Sequence, residues 1–449
     1  MRFFRDLYLP RRFFEALAAL VVLSAAGAAW GPLFVLAKAG AAALAVGVVA
    51  DALLLWRGGG LDAVRGVPEK LSNGDPNPVE LRVANRYRVR VRARVIDEVP
   101  VQFQARGGGL VVDLAAGEER TLRYTLRPTR RGAYRFGVVN LYAESPLGLV
   151  LRRFRRAAEG EAAVYPSILQ MQRYAFLAAS NRLTEVGVKR VRRVGHTMEF
   201  ERVRAYVPGD DRRTVNWKAT ARRGGDATGA VALMVNEYEE ERAQPVYAVL
   251  DMGRTMRSPF EGLTLTDHAI NAALVLLNIA LLKGDRAGLV TFDEAVRTVI
   301  PAERRRSHLP RILEALYRQE PGFLDPDYEG LAAAVRTRLG PRGLVLLFTN
   351  FETRQGLGRQ LPYLRAIAKQ HRLVVVFFEN TELRGLLTAK AERAEDVYVK
   401  AVAEGLDVEK REIARELERH GIGALLTRPE TLTVDAINRY LQLKAQGAI

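Results

Sequence analysis

The sequence predicts a multidomain chain: a transmembrane helical hairpin, then a small β-sandwich, then a doubly wound α/β domain. Three observations predict it. Two apolar runs, Phe13–Trp30 and Leu33–Trp56, lie near the N-terminus with Gly31-Pro32 between them. From Val79 to Val95 apolar residues hold the odd positions, Asn85 excepted, while Arg86, Arg88, Arg90, Arg92 and Arg94 hold even ones. From Pro245 onward, short apolar runs alternate with segments of helical period.

Residues 1–60 form the hairpin. Each apolar run approaches the roughly 20 residues that a bilayer requires, and the tight break favours two antiparallel helices. The first run carries one charge, Glu15, and the second carries Lys38 and Asp51. Trp30 and Trp56 stand where interfacial aromatics belong, and Lys38 can snorkel to the surface. Asp51 is costly unless it lies near the inner face or finds a partner. A cleaved signal peptide also fits the basic start and apolar centre of the first run, but the second long run favours the hairpin. Arg2, Arg5, Arg11 and Arg12 precede the hairpin, Arg57 and Arg65 follow it, and Lys38 alone lies in or near its turn. The positive-inside rule then gives a two-pass protein of the cell (inner) membrane, with its soluble domains cytoplasmic.

Residues 61–166 read as all-β. The period-two alternation gives strands with one core face and one basic face, and Asn85-Arg86 marks a turn between two of them. Further strands are expected near Gln102–Gln104, Leu110–Leu114, Arg120–Leu126, Ala133–Ala143 and Leu149–Phe154, with Gly- and Pro-containing turns between several of them. That spacing predicts a β-sandwich. The basic face reads either as a solvated surface or as a contact for anionic lipid head groups, since the domain directly follows the hairpin. Gly58-Gly59-Gly60 and Gly107-Gly108-Gly109 lack the Gly-Lys-Ser/Thr of a phosphate loop and read as a linker and a turn.

Residues 167–244 connect the sandwich to the α/β domain and hold the densest basic segment. Residues 182–223 contain 12 basic and 5 acidic side chains. Within them, Glu199-Phe200, Arg204-Ala205-Tyr206, Gly209-Asp210, Arg213, Trp217-Lys218 and Ala221-Arg222 stand at fixed spacing. The turn Pro208-Gly209 precedes Asp210 and Asp211, either of which can cap a short helix. The carboxylates of Glu199, Asp210 and Asp211 balance Arg204, Arg212, Arg213 and Arg222, which implies one ion-pair network. Trp217 is expected to pack into a core or against a partner. This pattern resembles the signature of the domain of unknown function 58 family. The resemblance implies an immunoglobulin-like sandwich before the signature and an α/β domain after it. Members of that family are often encoded beside MoxR-type AAA+ ATPases, so it also implies an AAA+ ATPase partner and a role in assembling or maturing a complex.

Residues 245–449 predict strands at Val246–Leu250, Ala287–Phe292, Val296–Ile300, Gly343–Phe348, Leu373–Phe378 and Gly423–Leu426. Helices are predicted at Thr266–Lys283, Arg305–Arg318, Tyr328–Leu339, Leu361–Gln370, Val408–His420 and Glu430–Lys444. Such alternation implies a parallel sheet covered on both faces. The helix within Thr266–Lys283 is apolar but too short to span comfortably, so it reads as core. The order of elements resembles a von Willebrand factor type A domain, a fold that often binds a divalent ion through Asp-x-Ser-x-Ser, a later Thr and a further Asp. Here the first stretch is Asp251-Met252-Gly253-Arg254-Thr255. Asp251 and Thr255 match, Gly253 supplies no hydroxyl, and Asn350 stands where Asp is usual. The resemblance thus gives a degenerate site of Asp251, Thr255 and Asn350. No resident cofactor is expected, and Mg²⁺ is the ion that such a site would take.

Net charge is +17, and only 10 of the 68 basic residues are lysines. A polyanion partner fits this charge, as does a general compositional preference for Arg; no specific nucleic acid is expected. The absence of cysteine excludes disulfides, thiol catalysis and cysteine-ligated zinc. His196 and Glu199 are three apart without a His-Glu-x-x-His motif. The reading is a membrane-anchored, non-enzymatic interaction protein. Its rivals are a metal-dependent hydrolase using Asp210, Asp211 and Glu199, and a binder of polyanions or anionic lipids.

Overall fold

The computed structural model describes residues 5–103, 109–157, 160–180, 182–189, 199–207, 210, 212, 215–223, 233–239, 243–381 and 393–448. At 183, 199–202, 223 and 237–239 it describes the backbone alone. The chain divides into two compact units, Met1–Leu169 and Gln170–Ile449.

The first unit opens with strand β1 (Leu7–Tyr8), helix α1 (Arg11–Ala26) and helix α2 (Gly31–Arg57). The strands that follow are β2 (Leu61–Gly66), β3 (Lys70–Ser72), β4 (Asn77–Asn85), β5 (Val91–Asp97), β6 (Leu110–Leu114), β7 (Glu119–Leu126), β8 (Gly132–Phe136), β9 (Val139–Glu144), β10 (Leu151–Arg156) and β11 (Gly160–Tyr165). They pair as a five-stranded sheet β1-β10-β9-β5-β6 and as three-stranded sheets β2-β4-β7 and β3-β11-β8. The five-stranded sheet and β2-β4-β7 share a sandwich-like core containing Leu61, Leu81, Val83, Ala93, Leu141 and Ala143.

The odd positions are buried in β4 and again in β5, as the alternation requires. The two strands nevertheless belong to different sheets. Asn85 makes the crossing: its amide donates to Val89 O at 3.0 Å and Ala115 O at 2.7 Å, and its Oδ1 accepts from Tyr87 N at 2.9 Å. The segment expected as one strand, Ala133–Ala143, also divides. Gly137 N bonds Glu98 O at 2.8 Å at the break, and the chain changes sheets between β8 and β9. Val101–Phe103 is a 3₁₀ turn rather than a strand, closed by Phe103 N to Pro100 O at 3.0 Å; residue 104 lies outside the described residues. Strands β2, β3 and β11 lacked a period-two signal strong enough to predict them.

The hairpin helices are uneven. Residues 27–30 form the turn, so α1 ends at Ala26 after 16 residues while α2 runs for 27. By length and composition α2 is long and apolar enough to cross a membrane. Its last turns enter the sandwich, where Asp51 and Leu55 are buried. Asp51 satisfies itself through a partner. Its carboxylate accepts from the Ser145 hydroxyl, from Leu149 N at 2.8 Å and from Val150 N at 2.8 Å. The Tyr87 hydroxyl then holds the helix end, donating to Leu55 O at 2.8 Å. Gly58-Gly59-Gly60 is a packed joint rather than a linker. Gly59 has φ +134°, and a Cβ there would fall 2.2 Å from Arg86 O, so only glycine fits.

The second unit contains α3 (Ile168–Ala179), β12 (Glu199–Ala205), α4 (Trp217–Arg223), β13 (Met234–Glu239), β14 (Pro245–Asp251), β15 (Pro259–Phe260), β16 (Leu263–Thr264) and α5 (Leu265–Leu282). After these come β17 (Arg286–Phe292), β18 (Val296–Glu303), α6 (Leu309–Tyr317), α7 (Tyr328–Arg338), β19 (Leu344–Phe348), α8 (Arg354–Gln370), β20 (Arg372–Phe378), α9 (Ala394–Arg419), β21 (Gly423–Thr427) and α10 (Leu432–Ala445). The main sheet runs β18-β17-β14-β19-β20-β21, parallel except for the β17–β18 pair. Along β14, Val246, Ala248 and Leu250 join the core under α5, α6 and α10, while Tyr247 and Val249 join the core under α7, α8 and α9. That two-sided burial explains the unbroken apolar runs.

Helix α5 is the central core helix, with nearly every residue buried, and Thr264 and Asp267 close a capping box at its start. Helix α8 begins at Arg354, seven residues before the expected start, because Thr353 Oγ1 caps Gly356 N at 3.1 Å and the helix continues through Pro362. Helix α9 begins at Ala394 rather than Val408. The buried Asp285 joins the ends of the domain, accepting from Gln244 N at 3.1 Å, Tyr440 OH at 2.5 Å and Lys444 Nζ at 2.8 Å.

Asp51→Ala leaves two amides and a hydroxyl buried without an acceptor, and is expected to destabilise the first unit by about 2–4 kcal/mol. Asp51→Asn keeps one acceptor oxygen and should lose less. Thermal unfolding of the full-length protein in detergent checks this; an unchanged midpoint for Asp51→Ala refutes it.

Candidate functional site

In an open α/β sheet, ligands approach the carboxyl ends of strands where the chain order reverses. Here that point lies between β14 and β19, since β17 follows β14 on one side and β19 lies on the other. Asp251 ends β14, and Thr349 and Asn350 follow β19. All three residues, Tyr328 at the start of α7 and Lys410 of α9 meet there.

Asp251 is buried, and its bonds are internal. Oδ1 accepts from Gly253 N at 2.7 Å; Oδ2 accepts from Thr349 Oγ1 at 2.6 Å and Tyr328 OH at 3.3 Å. Burial pushes its carboxyl up from 3.8 to about 6, although those three donors pull the other way. Tyr328 is raised well above its ordinary value, first by burial and then by the Asp251 charge.

Asn350 and Thr255 have bonds of their own. Asn350 Oδ1 accepts from Lys410 Nζ at 2.7 Å, and the same ammonium donates to Phe351 O at 2.5 Å. Burial lowers Lys410 to about 8. Thr255 lies in the following 3₁₀ turn, where its carbonyl accepts from Ser258 Oγ at 3.3 Å. Arg254 pairs with Asp325 at 2.8 Å, and Asp327 caps α7 through Gly330 N at 2.9 Å. A Cβ at Gly253 would sit 2.8 Å from Pro326 Cδ, so a serine cannot enter without moving that loop.

A hard divalent cation requires several oxygen ligands. Gly253 offers no side-chain oxygen, the Asn350 oxygen is engaged by an ammonium, and the Asp251 oxygens are taken up by Gly253 N, Thr349 and Tyr328. These residues do not fit such an ion. Among the described residues no group of three or more His, Cys, Asp or Glu is placed to hold a metal. Beside Lys410 opens a cleft of about 530 Å³, lined by Phe260, Leu265, Phe378, Asn350 and Thr353 among others. On the strand-end loops, Phe323 is 74% and Leu324 56% exposed, and the Arg257 guanidinium lies 3.5 Å from the centre of the Phe323 ring.

The signature stretch forms a second constellation in the same unit. Strand β12 pairs antiparallel with β13, from Glu199↔Glu239 to Ala205↔Met234. Arg204 grips Asp210 with both guanidinium nitrogens, at 2.8 and 2.7 Å, and Asp210 also accepts from Val207 N at 2.9 Å. The Arg204 bonds, then the amide, hold Asp210 below the ordinary carboxylate range. Tyr206 N continues the pairing to Leu233 O at 2.8 Å. Asn216 Oδ1 caps α4 through Ala219 N at 2.9 Å. Trp217 opens α4 with 70% of its surface exposed, so it does not pack into a core; Lys218 and Arg222 are exposed beside it. The Glu199 side chain, and residues His196, Gly209, Asp211 and Arg213, lie outside the described residues. The carboxylate of Asp210 thus holds a turn.

Sequence reasoning missed Lys410 and Tyr328. A periodic signal for Lys410 was present: Ala403, Lys410, Ile413 and Leu417 form the buried face of α9, so one lysine falls on an apolar stripe.

Residues 202–404 match the model of a family described as "Protein of unknown function DUF58". The chain is 25% identical over 198 residues to the uncharacterized protein YeaD of Bacillus subtilis, covering 44% of this chain and 45% of that protein. It is 26% identical over 175 residues to the uncharacterized protein Rv1480 of Mycobacterium tuberculosis, covering 38% and 52%. The chain thus spans about half the length of the curated relatives it matches. Among solved structures, the CARDB domain of the PF1109 protein from Pyrococcus furiosus is 18% identical, covering 24% of this chain and 94% of that one, with a TM-score of 0.17. Proximal thread matrix protein 1 of the mussel byssus is 11% identical, covering 43% and 45%, with a TM-score of 0.27. At this level of likeness neither structure assigns a function.

The raised pKa of Asp251 makes stability depend on pH. Between its ordinary value of 3.8 and about 6, the folded chain keeps a proton that the unfolded chain has released. Folding there takes up a proton, so the contribution of Asp251 to stability is fully present below about pH 4 and is lost as pH rises through about 6. Asp251→Asn removes this titration. The unfolding free energy of wild type minus variant should fall by about 3 kcal/mol across that range. Denaturant-dependent hydrogen exchange at β14 and β19 amides measures it, and a flat difference refutes it. Asp210→Asn should speed exchange at Val207 and leave β14 unchanged; unchanged exchange at Val207 would remove the turn-holding role.

Proposed function

We propose that this protein is a two-pass membrane-anchored docking protein without catalytic activity, whose soluble domains lie in the cytoplasm. Its α/β domain is of the von Willebrand factor type A kind, and its partner is a MoxR-type AAA+ ATPase acting in assembly or maturation of a complex. The observation that carries the docking role is the strand-end face. Asp251 is committed to Gly253, Thr349 and Tyr328, which leaves little for chemistry. The rim presents Phe323 and Leu324 to solvent beside Arg254 and Arg257. Exposed apolar side chains ringed by charge are a common form of protein contact. The identity of the partner rests on the resemblance carried by Arg204, Tyr206, Asp210, Trp217, Lys218 and Arg222. The membrane anchor rests on α2 and on the basic residues flanking the hairpin.

Affinity capture of the full-length protein from detergent-solubilised membranes, with ATP and Mg²⁺ present, tests this reading. Recovery of an AAA+ ATPase that falls at least about tenfold for Phe323→Ala/Leu324→Ala is expected, since two central apolar anchors contribute about 1–2 kcal/mol or more each. Both side chains are exposed, so folding should survive. Capture of no ATPase, or equal capture by the variant, would overturn the partner or its docking face respectively.

A further inference from the structure

A second cleft, of about 700 Å³, lies in the first unit at the base of the hairpin. Its lining combines Arg11, Arg12, Arg92 and Arg94 with a single acid, Glu144, and with Leu9, Ile96 and Val111. The strand alternation places Arg92 and Arg94 outward while Ala93 and Val95 fill the core.

Arg11 pairs with Glu15 at 2.7 Å, whereas the other three arginines are weakly engaged. Arg12 stands 3.8 Å from Glu144 and Arg92 3.9 Å from Asp113. Arg94 has no carboxylate partner among the described residues. The first turn of α1 adds to the positive field: it contains no acid, and Pro10 gives its amides no side-chain cap. Three loosely paired cations, Arg12, Arg92 and Arg94, around a cleft with this little compensation select an anion, and planar guanidinium groups suit phosphate oxygens.

The position of the cleft says which anion. Helix α1 is about 24 Å long at 1.5 Å per residue, and Arg11 and Arg12 are its first residues. Helix α2 runs back beside it and enters the sandwich at the same end, where a Cβ on Gly47 would touch Leu149 and Asp51 meets the Ser145 loop. A Cβ on Gly148 of that loop would fall 2.7 Å from Arg12 Nη1. With the hairpin in a bilayer, the arginines therefore lie at the level of the lipid head groups. Leu9, Ile96 and Val111 are exposed beside them, which suits a ligand that is charged at one end and apolar at the other.

We propose that this cleft binds the phosphate head group of an anionic phospholipid, held by Arg12, Arg92 and Arg94, with the glycerol end of the lipid against Leu9, Ile96 and Val111. The proposal rests on the membrane-anchor reading above. A zwitterionic lipid brings its own cation to a cleft already rich in guanidinium and is disfavoured.

The test is native mass spectrometry of the full-length protein released from detergent micelles containing equal phosphatidylglycerol and phosphatidylcholine. Wild type should retain phosphatidylglycerol preferentially, and Arg92→Gln/Arg94→Gln should reduce that preference about tenfold. Arg123→Gln, on an exposed face outside the cleft, should leave it unchanged. Equal retention of both lipids, or an unaltered preference in the double variant, overturns the proposal. A parallel titration uses inorganic phosphate alone; if phosphate binds as tightly as phosphatidylglycerol and with the same arginine dependence, the lipid assignment is overturned. Alkaline extraction of membranes separates the two readings. Protein released into the supernatant refutes the anchor, whereas protein that stays membrane-bound without lipid preference refutes the head-group site alone.

Discussion

A carboxylate taken out of water must be given donors, and this protein does so at three buried aspartates that tie distant parts of the chain together. Asp51 joins a long apolar helix to the loop before β10. Asp251 joins β14 to β19 and α7. Asp285 joins the segment before β14 to α10. In each case at least one donor comes from far away in sequence, so the acid is fully satisfied only when the tertiary fold is complete. Leaving any of them unpaired would cost several kcal/mol. Apolar burial supplies most of the stability, while these acids restrict which arrangement of the elements can bury them.

The same accounting governs the strand-end face. Buried Lys410 donates to a side-chain amide oxygen and a backbone carbonyl, and buried Asp251 accepts from an amide and two hydroxyls. Hydrogen bonds thus satisfy both buried groups. At the surface, Phe323 and Leu324 stand exposed beside Arg257 and the Arg254–Asp325 pair.

Much of the architecture was legible because burial on both faces, or on one, leaves a simple mark. Strand β14 shows an unbroken apolar run because two helical layers cover it. Strands β4 and β5 show alternation because one face is wet. Boundaries were read less well where a long-range bond decides them. Asn85 turns a continuous alternation into strands of two different sheets, and Gly137 divides another run, through partners tens of residues away. Of the candidate site, Asp251 and Asn350 follow the adjacent strands β14 and β19, and their side chains have different partners. Thr255 lies in the 3₁₀ turn that follows, with its carbonyl bonded to Ser258, while Asp251 takes the amide of Gly253. Lys410 stayed hidden because lysine ordinarily marks a solvated face; only its phase on α9 gives it away.

Helix α2 carries a mechanical consequence. It is one uninterrupted rod of 27 residues, about 40 Å long, whose final turns are clamped by Asp51 and Tyr87 and whose exit at Gly59 is packed without slack. No hinge separates the apolar stretch from the sandwich. Any torque applied to the sandwich is delivered to the rod as tilt, and any tilt imposed on the rod by its surroundings is delivered to the sandwich as rotation, so the two ends can report on each other without a change in shape.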